Sequence, residues 1–290
     1  MNNFWDKPDL LVLSGSNLYG YATPKSDVDY LGFVIPPFKY MVGFTGFEQK
    51  VPTKEEQAAG NDKKIYGIKK FFRNLLRNDT QSLEILFAPE ENIKVCSPIA
   101  QEVIDNKDLF ISKQLYKRFM GYAYSEFRKV RGVKQVPEKR TPTEKSVVDQ
   151  VREVFRPDKK TMDEILDLLY ADRPTKEVSC IGNMGKTRKE TIEKYGYSVK
   201  NAAHCVRLLY EGIEILMTGK LTFPRPSEEL RILKDVRSGG LTLEYVTEIY
   251  DNLNKALNQA MDRCDLPDKP NQEQAEKLLI SLITKNLILV

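Results

Sequence analysis

One stretch, DLLVLSGSNLYGYATPKSDVDYLGFVIPP (residues 9–37), constrains this chain more than any other. An apolar run, 9–14, is bounded by Pro8 and Gly15 and reads as a buried strand. A Gly-Ser turn follows, with at most a short helical turn over 17–20. Pro24 and small polar residues make 22–26 a loop. A second strand is expected over 27–35, because DVDYLGFVI is rich in β-formers and Pro36-Pro37 ends it. Two acids, Asp27 and Asp29, stand inside that run. On a strand they share a face, roughly 6–7 Å apart, and repel unless a cation lies between them.

Oxygen ligands of this kind suit Mg²⁺, which commonly bridges carboxylates to a substrate's phosphates. Two ions can activate an attacking hydroxyl and stabilise leaving pyrophosphate. The chemistry therefore predicts two Mg²⁺, with Mn²⁺ as a substitute. Gly15 lets backbone approach a phosphate, and Ser16 adds a hydroxyl beside the N–H groups of the turn. Strand, Gly-Ser and DxD together read as a site for a nucleoside triphosphate such as ATP.

Downstream, 44–61 looks irregular and a short strand is expected near 64–66. Ile68, Phe71, Phe72, Leu75 and Leu76 recur at helical spacing, so 67–77 is a helix. LEILF (83–87), closed by Pro89, reads as another strand. Beyond residue 112 helical periodicity dominates, at 112–130, 144–155, 161–171, 198–218, 242–263 and 271–286. The expected architecture is α+β. A small mixed-sheet catalytic domain spans 1–111, and a mostly helical domain spans 112–290 and adds basic nucleotide- or acceptor-binding residues.

Composition excludes little. A net charge of +4 argues neither for nor against nucleic acid, but residues 128–145 hold seven Lys or Arg against two Glu. That segment is a candidate phosphate-contacting arm. The four cysteines share no CxxC spacing and His204 is the only histidine, so neither a structural zinc site nor a disulfide framework is expected. Buried reduced thiols are. With no signal-like N-terminus and no membrane-length apolar run, a cytoplasmic protein is expected. IGNMGKTRKE (181–190) is not a P-loop, because only two residues separate its glycines. Phe71, Phe72, Phe119, Tyr122 and Tyr124 are expected in the core.

The opening stretch resembles the signature of the DNA polymerase β-like nucleotidyltransferase superfamily. It is most similar to a bacterial and phage group of nucleotidyltransferases, some encoded beside RNA ligases. Their pattern, GSxxYGxxxxxSDxDxxG, is matched by Gly15, Ser16, Tyr19, Gly20, Ser26, Asp27, Asp29 and Gly32. Residues 68–87 are similar to the group's helix-then-strand segment, with Asn78-Asp79 where Asn-Pro is usual. Residues 194–226 resemble its YGYxxKxAxHxxRLLxxGxEILxxGxxxxxRP segment.

The resemblance implies the catalytic and metal-ligating set Asp27, Asp29 and a third acid on a neighbouring strand. Glu84 is the first choice for that acid, as the one acid inside LEILF, and Asp62 the second. It also implies nucleotide binding by Gly15, Ser16 and Ser26. Lys200, His204 and Arg207, at i, i+4 and i+7, form a basic stripe that could clamp a triphosphate. Tyr19 and Tyr21 could line the nucleotide pocket. Arg225 and Arg237 match the pattern with no role assigned. The implied reaction moves a nucleoside monophosphate to an acceptor hydroxyl, favoured as an RNA 3′ end of tRNA type. The alternatives are a protein or small-molecule acceptor, or a non-catalytic nucleotide- or RNA-binding module.

Overall fold

The computed structural model describes residues 3–24, 26–58, 62–137, 149–150, 152–154, 175–179 and 185–288. It divides into two compact units, one of residues 1–127 with 199–290 and one of 128–198. The change from strands to helices near residue 110 is a change of composition, and the compact units follow a different line.

The larger unit is built on a five-stranded mixed sheet of β1 (Leu10–Leu13), β2 (Asp29–Val34), β3 (Gln49–Lys50), β4 (Asp62–Gly67) and β5 (Ile93–Cys96), ordered β3-β4-β2-β1-β5. All neighbours are antiparallel except β2 and β4, which run parallel with Asp29 opposite Asp62 and Val34 opposite Gly67. β1 and β2 press so closely at Gly32 that a Cβ there would lie 1.9 Å from the Leu10 carbonyl oxygen. Gly32→Ala is therefore expected to separate the central strands and leave the chain largely insoluble, checked by the soluble fraction on expression.

Helices cover the sheet. A five-residue helix α1 (Gly15–Tyr19) follows β1, α2 (Phe38–Val42) and α3 (Lys54–Ala58) lie between β2 and β4, and α4 (Ile68–Leu76) follows β4. Next come α5 (Thr80–Glu84), α6 (Pro98–Asp105) and α7 (Gln114–Val130). Returning from the smaller unit, the chain forms α9 (Val199–Thr218), α10 (Ser227–Ser238), α11 (Leu243–Asp262) and α12 (Gln272–Ile288). One apolar core joins sheet residues Leu10 and Phe33 to Phe71, Phe119, Leu208, Leu257 and Leu282. Each such fully buried side chain contributes roughly 1.5–3 kcal/mol, so the later helices complete the sheet's own core. Phe71, Phe72 and Phe119 are buried as expected, whereas Tyr124 is exposed. Cys205 and Cys264 are buried free thiols, but Cys96 is exposed.

The α+β expectation holds, with corrections. LEILF is not a strand: Thr80–Glu84 is helical. Asn78, with a positive φ of 53°, stops α4, and the Asp79 carboxylate caps α5 by accepting the Ser82 N–H at 3.0 Å. β2 begins at Asp29, leaving Asp27 just ahead of it, and β4 extends back to Asp62. β5, α6 and α10 stand where no element was expected.

In the smaller unit β6 (Val133–Pro137) pairs antiparallel with β7 (Thr175–Ser179), and α8 (Lys186–Tyr195) follows. The basic segment thus begins in α7 and continues into β6, and its residues 138–145 lie outside the described residues. So do 180–184 of the rejected P-loop and nearly all of the helices expected at 144–155 and 161–171.

Candidate active site

The parallel register of β2 and β4 sets two carboxylates side by side at one end of the sheet. Asp29 is half-buried and stands opposite Asp62 in the β2–β4 register. Burial, first, and then the charges of Asp62 and Asp27 push its carboxyl above the ordinary aspartate range. Lys200, exposed at the start of α9, acts on the same carboxyl in the opposite sense. Three acids and one ammonium therefore meet at this end of the sheet.

The segment between β1 and β2 is folded around Asp29. The Ser14 N–H donates to the Asp29 carbonyl at 2.9 Å, and the Asn17 side-chain amide donates to the Asp27 carbonyl at 3.3 Å. Gly15 opens α1 with φ 63°, and a Cβ there would stand 2.3 Å from the Asp29 Oδ2. Glycine meets both demands, a left-handed backbone and room for the carboxylate. Gly15→Ala is expected to displace Asp29 and to lower any Asp29-dependent activity by about 10²-fold, measured as kcat in protein shown to be folded by circular dichroism. Ser26 closes the turn before Asp27: its hydroxyl accepts the Thr23 N–H at 2.9 Å. Ser16 is half-buried, and its carbonyl accepts the N–H groups of Gly20 and Tyr21.

The other expected residues lie elsewhere. Glu84 is buried in α5, where it accepts the Tyr19 hydroxyl at 2.6 Å and Arg207 Nη1 at 2.8 Å. Asp62, the second choice, is the acid that stands opposite Asp29 in the β2–β4 register. Arg207 is only 2% exposed; its Nη1 is bonded to Glu84 and Glu211, while its buried Nε has no hydrogen-bond partner. His204 stacks edge-on to Tyr122 with ring centroids 5.0 Å apart, and its Nδ1 lies 3.7 Å from Glu126. Burial holds its pKa below the ordinary histidine value, against the pull of Glu126. The stripe 200–204–207 does share a face, but that face runs from solvent into the core, and only Lys200 reaches the acids. Arg225 is a buried partner of Glu214 and Glu229. Tyr19 is buried beneath Arg207.

Hard carboxylate oxygens crowded to the point of mutual repulsion fit a divalent cation of the Mg²⁺ type. Among the described residues no group of three His, Cys, Asp or Glu side chains is gathered closely enough to hold a metal ion.

The family described as the RNA repair pathway DNA polymerase beta family matches residues 10–281. The chain belongs to this family. Membership bears out the resemblance to polymerase β-like nucleotidyltransferases and gives RNA repair as the family's setting. An uncharacterised 38.9 kDa protein from the nrdC-mobD intergenic region of Enterobacteria phage T4 is 29% identical over 127 residues, which is 41% of this chain and 37% of that protein. The chain thus matches little more than a third of that relative's length. No solved structure matches. Among the described residues no helix is long and apolar enough to cross a membrane.

Proposed function

We propose that the protein transfers a nucleoside monophosphate from a nucleoside triphosphate to the 3′ hydroxyl of an RNA, releasing pyrophosphate, with Mg²⁺ held by Asp27, Asp29 and Asp62. The observation that carries this reading is the parallel register that seats Asp62 beside Asp29, next to a glycine with no room for a side chain. The metal, when bound, supplies the positive charge that the acids lack and lowers the pKa of the attacking hydroxyl. Asp62 accepts the proton of that hydroxyl at its carboxylate. The Gly15 and Ser16 backbone amides and the Ser16 hydroxyl bind the outer phosphates, while Lys200 adds an ammonium to the triphosphate. The new bond joins the acceptor oxygen to the α-phosphorus, and the bond from the α-phosphorus to pyrophosphate breaks. The basic segment 128–145 supports an RNA acceptor through phosphate contacts.

The test uses total RNA with free 3′ ends and the same RNA after periodate oxidation. Pyrophosphate release only with free ends supports the reading. Equal release from both excludes a 3′ acceptor and points to a protein or small-molecule hydroxyl. Asp62→Asn is expected to lower kcat by about 10²–10⁴-fold, the ordinary contribution of a positioned base, with little change in KM.

A further inference from the structure

Helix α1 carries Gly15 and Ser16 at one end and Tyr19 at the other, and is only five residues long. A helix so short does not hold its own shape in water. Its support comes from outside. The Tyr19 hydroxyl donates to Glu84 Oε2 at 2.6 Å, and the Arg207 guanidinium lies 3.9 Å above the Tyr19 ring. Arg207 Nη1 in turn donates to Glu84 Oε1 at 2.8 Å and to Glu211 at 2.7 and 2.6 Å. The Arg225 N–H donates to the Tyr19 carbonyl at 3.1 Å. Tyr21 and Phe223 pack beside the ring, with centroids 5.7 and 6.1 Å away. α5, α9 and the segment before α10 therefore all converge on the last residue of α1.

Stability alone does not call for this arrangement. Two buried carboxylates on one buried guanidinium carry a large desolvation cost, and apolar residues of equal volume often serve as well or better. A hydroxyl, a carboxylate and a planar guanidinium offer direction: each hydrogen bond fixes an angle that an apolar contact leaves free.

We propose that Tyr19, Glu84 and Arg207 form a positioning cluster that holds α1, and through it Gly15 and Ser16, in the geometry that receives the triphosphate. This rests on the nucleotide reading above. The three side chains touch neither substrate nor metal; they act through the turn. Glu84 and Arg207, expected as metal ligand and phosphate clamp, thus serve the same site from behind it.

The test is Tyr19→Phe, which keeps the ring and removes only the hydroxyl, with Arg207→Lys as a second variant that keeps the charge and loses the planar fork. Three quantities are read: hydrogen exchange of peptides covering 14–21 and 68–76, the Kd for ATP, GTP, CTP and UTP each with Mg²⁺, and kcat. The cluster predicts at least tenfold faster exchange in 14–21 with 68–76 unchanged. For whichever nucleotide the wild type binds, Kd rises and kcat falls by about 10–10²-fold, the loss expected when a reacting group is misplaced by about an ångström. Uniformly faster exchange with unaltered Kd and kcat in the folded fraction overturns the proposal and leaves an ordinary buried ion cluster. If the wild type binds no nucleotide, the nucleotide reading fails. The exchange data then still decide whether the cluster holds the turn.

Discussion

Arg207→Met is expected to destabilise the protein by about 3–5 kcal/mol, the usual cost of removing one partner from a buried ion pair. The size follows from what is left behind. Glu84 and Glu211 are 2% and 0% exposed, and both bond to the same guanidinium nitrogen. Without it, two carboxylates face each other in an apolar interior. Protonation of Glu211 relieves that conflict, which gives the effect a pH signature. Burial already pushes the Glu211 carboxyl from 4.5 up to about 8, and Arg207 opposes that rise. A carboxyl whose folded pKa lies above its unfolded value holds its proton longer in the native state. Its contribution to stability is full below pH 4.5 and declines as pH rises toward 8. Loss of Arg207 raises the folded value further. Urea unfolding should therefore show a smaller deficit for Arg207→Met at pH 5 than at pH 8. An equal deficit at both would mean that lost packing, not unpaired charge, dominates.

Asp29→Asn is expected to move activity and stability in opposite directions. Nucleotidyl transfer should fall by at least about 10³-fold, because this side chain stands between the other two acids and next to Gly15. Stability without metal should rise, by about 1–2 °C in Tm for the relief of a fraction of a kcal/mol in a chain of this size. The reason is the raised carboxyl of Asp29, disfavoured in its charged form first by burial and then by Asp62 and Asp27. Its pKa lies above 3.8 in the native state, so the native state loses stability as pH rises from that value through the folded one. A bound dication reverses the balance. Mg²⁺ should therefore raise Tm in the wild type and leave Asp29→Asn nearly unmoved. Thermal scans at neutral pH with and without millimolar Mg²⁺ measure both effects. A variant less stable than wild type in the absence of metal would show that the acids are not in conflict.

The sequence made the first half of the site legible because its signals are local. An apolar run, a Gly-Ser turn and a DxD are adjacent in the chain, and both strands they mark form, the second from Asp29 rather than Asp27. The neighbour of Asp29 across the sheet was not legible in the same way. Asp62 stands beside Asp29 only through a parallel pairing set by the whole crossover between β2 and β4. Glu84 drew the assignment because a five-residue apolar run reads equally well as a strand or as the buried end of a helix. The deciding signal was present in Asp79, which sits three residues before Ser82 as an N-cap. The stripe Lys200–His204–Arg207 was correctly placed on one helix face. Which end of that face meets solvent depends on the core that α9 enters, and periodicity carries no such direction. Glu211, one turn beyond Arg207, was the available hint that the arginine has a partner inside. β5 gave little pattern, since Lys94, Val95 and Cys96 are all exposed at the sheet's edge.

The acids at the end of β2 and β4 are proposed to serve nucleotidyl transfer. The most direct measurement incubates the protein with Mg²⁺, total RNA and each ribonucleoside triphosphate labelled with ³²P at either the α or the γ phosphate, beside Asp27→Asn/Asp29→Asn. In the wild type, α label is expected to enter a discrete RNA species and γ label to leave as pyrophosphate, and the double variant is expected to do neither. Transfer of γ label to an acceptor, or α label incorporated equally by the double variant, would contradict it.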